Sequence, residues 1–121
     1  MLKKISAATL TALFLTAPAM AEPAIYSWTG YGLNVPGSNK CPTYKMTIDV
    51  TVVGTDVQGR FQQEGRPERS FKATLGPDMK FKAVAPISNG NKMDVVGSLQ
   101  EGKQTIMLDG YCLFEGKLTK R

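Results

Sequence analysis

The sequence predicts an all-β fold, a small antiparallel meander β-barrel of seven or eight strands closed by one disulfide. Hydrophobic and polar residues alternate with a period of two through most of residues 22–121, a pattern typical of strands with one face in a core. Short glycine-containing segments separate the alternating runs, as hairpin turns require. A closed barrel is favoured over an open sheet because closure removes exposed strand edges.

The N-terminal residues have the three parts of a secretory signal peptide. Lys3 and Lys4 form a positive region, residues 5–17 are apolar, and residues 19–21 supply the small residues of a cleavage site. The apolar stretch is shorter than the roughly 20 residues that a membrane-spanning helix needs. We therefore predict a signal peptide at residues 1–21, a single β-barrel domain at residues 22–121, and a periplasmic or secreted protein whose mature chain does not insert into the membrane.

The two cysteines, Cys41 and Cys112, predict a structural disulfide. In an oxidising compartment a lone pair of cysteines most simply forms a bond. A metal site is disfavoured because the chain has no histidine and no third thiol, and a redox role because there is no Cys-x-x-Cys motif.

The firmest local prediction is a hairpin made by residues 44–52 and 57–63, with a tight turn between them that starts at Gly54. One register satisfies both charge and hydrophobicity. It places the following residues opposite each other: Val52 and Val57, Asp49 and Arg60, Lys45 and Glu64, and Ile48 and Phe61.

Six further segments alternate in the same way. They are residues 25–33, 71–75, 79–85, 93–99, 106–108 and 111–118. Residues 71–75 and 79–85 are expected to form a hairpin that places Lys72 opposite Lys82 and turns Met79 inward. Trp28 is a candidate inward residue of the first strand.

The predicted connections differ in length between the two ends of the barrel. The segments 34–42, 65–70 and 86–91 are long and fall at one end, whereas the intervening turns are tight and fall at the other. Ligand sites in such folds lie on the loops at one mouth. The candidate ligand-binding residues are therefore the basic and amide residues at the long-loop end, with Trp28 as a cavity-lining aromatic: Lys40, Arg66, Arg69, Asn89, Asn91 and Lys92. Two plainer alternatives stay open: these loops are polar because they face water, and Trp28 packs in the core.

Composition argues against several function classes. The absence of histidine removes the commonest general base, and Glu64 and Glu68 are interspersed with Arg66 and Arg69, which predicts a solvated ion-pair cluster rather than an acid–base dyad. Without the two lysines of the signal peptide, thirteen basic residues stand against ten acidic ones, a net charge of +3 that argues against nucleic acid as a partner. We predict no catalysis, no cofactor and no metal.

These observations predict an exported, non-enzymatic binding module whose long-loop end takes a small polar or anionic ligand. The alternative is a protein–protein module, such as an inhibitor of a secreted or envelope hydrolase, that inserts the 34–41 loop into its partner. The outline resembles exported eight-stranded barrels such as bacterial protease and lysozyme inhibitors and avidin-like ligand binders. No diagnostic motif of these families is present, so no residue role is transferred from them.

Overall fold

The computed structural model describes residues 22–88 and 90–121. The predicted signal peptide at residues 1–21 and the predicted site residue Asn89 lie outside the described residues. Within those ranges the chain is all-β, as predicted, with nine strands and a short 3₁₀ turn at Cys41–Thr43. The strands are β1 (Ala24–Tyr31), β2 (Lys45–Val53), β3 (Asp56–Gln63), β4 (Arg69–Thr74), β5 (Lys80–Pro86), β6 (Lys92–Ser98), β7 (Thr105–Asp109), β8 (Leu113–Lys117) and β9 (Thr119–Lys120). No helix in this part of the chain combines the length and the apolar character that crossing a membrane requires.

The strands form two antiparallel sheets and not the predicted closed barrel of seven or eight strands. One sheet has five strands in the order β4-β3-β2-β1-β9, and the other has four in the order β5-β6-β7-β8. Inward residues of both sheets form one buried cluster, so the two sheets share a core. The backbone hydrogen bonds that would close a barrel are interrupted at two seams between the sheets.

The first seam lies between β4 and β5. These two strands are the edges of different sheets and do not pair with each other, so the prediction that Lys72 opposes Lys82 is wrong. Met79 adopts a left-handed conformation with φ of 65° and is 42% exposed, so its predicted inward position is also wrong. The chain therefore passes from one sheet to the other through a tight turn instead of continuing the ladder.

Aromatic packing joins the sheets where the ladder stops. Phe71 on β4 and Phe81 on β5 are buried and stack with ring centroids 6.1 Å apart. Each ring covers the glycine opposite it on the neighbouring strand, Gly59 and Gly97 respectively.

The second seam lies between β1 and β8. The strand β9 occupies the edge of β1 by pairing at Tyr26 and Ser27. The backbone pairing on this side is limited, in the described chain, to the isolated bridge between Leu33, which follows β1, and Leu113 of β8. Trp28 fills this seam, where its indole ring packs so closely that a Cβ at Gly30 or Gly116 would overlap it.

The predicted hairpin of β2 and β3 is confirmed in its register. Val52 pairs with Val57, Asp49 with Arg60, and Ile48 with Phe61. Ile48 and Val50 are fully buried, whereas Thr47, at an alternate position of the same strand, is exposed and points outward. The period-two pattern alone therefore assigns the core face of this hairpin.

The disulfide between Cys41 and Cys112 is also confirmed, with Cα atoms 5.6 Å apart. It ties the connection before β2 to the segment between β7 and β8, and so links the two sheets. The connections predicted to be long lie at this same end, and the others lie at the opposite end. The predicted difference in length is wrong for most of them, because residues 64–68 and 87–91 at this end are no longer than residues 75–79 and 99–104 at the other. Only the connection of residues 32–44 is long. A disulfide is compatible with the oxidising conditions outside the cytoplasm.

Asp49 forms its ion pair with Arg121 and not with Arg60, the residue opposite it. The Ser27 hydroxyl donates a hydrogen bond of 2.8 Å to the Asp49 carboxylate, and Arg121 Nε donates one of 2.7 Å to the Ser27 oxygen. Arg60 instead lies 4.0 Å from Glu68. Burial by itself raises the pKa of Asp49, but the hydrogen bonds from Ser27 and Arg121, with the positive charges of Arg121 and Arg60, outweigh it and hold the pKa below its ordinary value.

This arrangement predicts a specific acid sensitivity. A carboxyl whose pKa is lower in the folded state stabilises the fold above its unfolded pKa of about 4, and this contribution is lost as the pH falls through the folded pKa. We expect Asp49→Asn to lose less stability than the wild type between roughly pH 4 and pH 2 in thermal unfolding followed by circular dichroism. The exposed Asp56→Asn on β3 is the control and should follow the wild-type curve. Parallel curves for Asp49→Asn and the wild type would contradict the assignment.

Candidate ligand pocket at the long-loop end

A cavity of about 540 Å³ opens between the two sheets at the long-loop end. We call it the mouth pocket. Its walls come from the start of β2, the end of β3, the 65–69 and 87–92 segments and the bend between β7 and β8. The lining side chains and backbone belong to Tyr44, Met46, Phe61, Gln63, Arg66, Pro67, Arg69, Ile87, Ser88, Asn91, Lys92, Met93, Gly110, Tyr111, Cys112 and Phe114.

The floor of the mouth pocket is apolar. It is made by four buried side chains. Met46, Met93 and Phe114 are each the inward residue nearest the long-loop end of their strand, and Phe61 is the next inward residue of β3 after the half-buried Gln63. The next inward residues on two of these strands, Ile48 and Val95, are fully buried and do not line the cavity. The pocket is therefore one layer of side chains deep at β2 and β6 and one layer deeper at Phe61, which lies opposite Ile48, and the core beneath it is filled.

Among the polar residues that line the pocket, Arg69 has the position in the sheet that lies deepest in the apolar part. It is the first residue of β4 and pairs with Phe61 on β3. Cross-strand partners share a face of the sheet, so Arg69 points to the same side as the buried Phe61. Arg69 is accordingly half-buried, whereas Arg66 and Lys92 are exposed at the rim.

The rim carries positive charge without a matching negative one. Among the lining residues that the structure describes there are three cations and no aspartate or glutamate. None of the three forms an ion pair within the described ranges, and Glu68 approaches Arg60 instead. The predicted ion-pair cluster of Glu64 and Glu68 with Arg66 and Arg69 is therefore wrong. Unpaired cations beside an apolar cavity favour an anionic ligand.

The predicted site residues divide into three groups. Arg66, Arg69, Asn91 and Lys92 line the mouth pocket, whereas Asn89 lies outside the described residues. Lys40 is exposed on the separate 34–40 loop, which turns back on itself at the bridge between Val35 and Ser38, and it does not line the pocket. Trp28 does not line it either.

The physical reason for the position of Trp28 is the pair of glycines beside it. Gly30 on its own strand and Gly116 on β8 leave the space that the indole occupies at the seam. Trp28 therefore packs against the core, as the plainer of the two sequence interpretations has it.

The sequence interpretation missed the floor of the pocket. Its signal was present for three of the four floor residues, since Met46, Met93 and Phe114 are the inward residues adjacent to the connections at this end. Arg69 also had a second signal, because inward positions 69, 71, 73 and 75 place one arginine in line with Phe71, Ala73 and Leu75.

The arrangement provides guanidinium, ammonium and amide donors above an apolar surface. Such donors bind carboxylates, phosphates and sulfates through charge-assisted hydrogen bonds. The bonded cysteines leave no free thiol in the described chain. No protein-family model, curated protein or solved structure matches this chain.

Proposed function

We propose that this protein is a non-enzymatic binding protein that holds a small anionic ligand in the mouth pocket. The observation that carries the proposal is the half-buried Arg69, which faces inward above an apolar floor with no acidic lining residue among those described. Arg66 and Lys92 add positive charge at the entrance and would attract the ligand. The amide of Asn91 and the hydroxyl of Ser88 provide neutral donors at the same rim.

The proposed place of action is the periplasm or the outside of the cell. The predicted signal peptide and the disulfide support it together, since disulfides persist in oxidising compartments. A binding protein in that compartment would meet its ligand directly in the surrounding medium.

Replacement of Arg69 tests the proposal. Arg69→Gln removes the charge and keeps a side chain of similar length, so we expect it to weaken anion binding about 10- to 100-fold, the effect of losing a charge-assisted hydrogen bond. The measurement is calorimetric titration of the full chain, with its disulfide intact, with inorganic phosphate, benzoate and hexanoate. Arg60→Gln, on the outer face of β3, is the matched control and should bind as the wild type does. Equal weakening by both variants, or binding of none of the three anions, would overturn the proposal.

A second candidate function uses the 34–40 loop. This loop is held in one shape by the bridge between Val35 and Ser38 and by the adjacent disulfide at Cys41. A preformed exposed loop binds a protein with less loss of conformational entropy, which is a property of inhibitors. Inhibition of a lysozyme or a trypsin-like protease at equimolar concentration, lost on Asn39→Arg, would favour this candidate over the ligand-binding one.

A further inference from the structure

We propose that the ligand of the mouth pocket is amphiphilic, a free carboxylate that carries an apolar chain of medium length. Its head group lies at Arg69, Arg66 and Lys92, and its chain lies against the floor. This inference rests on the proposed anion-binding function and specifies the class of anion.

The first argument is the chemistry of the floor. Met46, Phe61, Met93 and Phe114 offer no strong hydrogen-bond donor or acceptor, and all four are buried. A polar anion such as a sugar acid would place hydroxyl groups against them without partners, which opposes binding. An alkyl chain instead removes its own apolar surface and that of the floor from water.

The second argument is the shape tolerance of the floor. Two of its four side chains are methionines, whose unbranched thioether chains adapt to irregular apolar ligands. The partly buried Ile87 adds an apolar wall on the side of β5. Such a surface accepts a flexible chain in several conformations and needs no fixed polar contact below the rim.

The third argument is depth, which limits the length of the chain. Inward residues follow each other along a strand at about 7 Å. The pocket ends at the first inward residue of β2 and of β6, because Ile48 and Val95 beneath them are packed, and one inward residue deeper, at Phe61, on β3. The volume of about 540 Å³ lies within the range of small-molecule sites, roughly 300–1,000 Å³. A chain that exceeds this depth has to leave through the mouth, where additional methylenes stay in water.

The experiment is a titration of the full, oxidised chain with straight-chain carboxylates from acetate to dodecanoate. We expect the dissociation constant to fall by about fourfold for each added methylene, and then to level off once the chain fills the pocket. The corresponding alcohols and alkyltrimethylammonium ions, which have the same chains and no negative charge, are expected to bind at least about tenfold more weakly.

Two variants separate the head group from the chain. Arg69→Gln should weaken every carboxylate by the same factor and leave the dependence on chain length unchanged. Ile87→Ser should reduce the dependence on chain length and leave acetate binding unchanged. Val84→Ser, at an exposed position on β5, which ends directly before Ile87, is the matched control and should change neither.

The outcomes distinguish the two proposals. Equal affinity for acetate and octanoate, with both weakened by Arg69→Gln, would contradict the proposal of an amphiphilic ligand and would support the proposed anion-binding function. Binding of phosphatidylglycerol vesicles without binding of monomeric carboxylates would also overturn it, because it would make a lipid surface the partner. If no carboxylate or other anion binds at all, the proposed function itself is wrong.

Discussion

Replacement of Cys41 and Cys112 by alanine is expected to lower the free energy of unfolding by about 4 kcal/mol. The two residues are 71 positions apart, so the bond removes a large amount of conformational freedom from the unfolded chain. Its loss also matters in the folded state, because the disulfide is the covalent link between the sheets at the end where the mouth pocket opens. A domain of this size retains only about 5–15 kcal/mol of net stability, so the expected loss is a large part of the total.

The measurement is denaturant unfolding of the wild type with the bond intact, of the wild type after reduction, and of the double variant. Reduction and the double replacement should give the same midpoint, well below that of the oxidised protein. The mouth pocket offers a second measurement, since Cys112 lines it and ligand affinity should fall with the bond broken. Oxidised and reduced proteins with equal midpoints would show that the bond contributes little.

The second large effect is expected at Gly59 and Gly97. A Cβ at Gly59 would overlap the ring of Phe71, and a Cβ at Gly97 would overlap the ring of Phe81. Both rings are buried at the seam where the sheets meet, so they have little room to move. We expect Gly59→Ala and Gly97→Ala each to destabilise the fold by about 1–3 kcal/mol, the usual range for overpacking a core.

A double-mutant cycle identifies the cause of this loss. Combining Gly59→Ala with Phe71→Leu removes the ring that the new methyl group meets, so the double variant should be more stable than the sum of the two single effects predicts. Gly110→Ala is the control, because a Cβ there meets only the flexible end of Met93 at 3.1 Å and should cost less. Additive effects of the two single changes would show that the ring is not the obstacle.

The local structure was predictable because alternation is a property of neighbouring residues. In the hairpin of β2 and β3, hydrophobic side chains at every second position and the charges of Asp49 and Arg60 agree on one register. The turn at Gly54 adds the positive φ that such a tight connection requires. No other part of the molecule is needed to define these contacts.

Closure of the barrel was not predictable in the same way, because it depends on how strands far apart in the chain meet. The pattern of residues 71–85 fits a continuous hairpin ladder as well as it fits a turn between two sheets. The stacked rings of Phe71 and Phe81 and the pairing of β9 with β1 select the second arrangement. Tertiary packing thus decides between two folds that place the same residues inward.

The candidate site was predictable at its rim and not at its floor. Successive connections of a meander alternate between its two ends, which places Arg66, Asn91 and Lys92 at one end, and the structure puts them around one cavity. Trp28 and Lys40 have suitable chemistry but lie elsewhere, because Trp28 fills a glycine-lined seam and Lys40 stays on the separate 34–40 loop.

Two properties of this protein follow from the sequence by itself. The strands with their core faces follow because alternation is a property of neighbouring residues, and the bond between its cysteines follows because the chain has only two. The number of sheets, the filled core and the empty layer above Met46 and Met93 are decided only by the tertiary structure. They result from close packing of side chains from distant strands, and whether such side chains fill the space between two sheets depends on their positions in three dimensions.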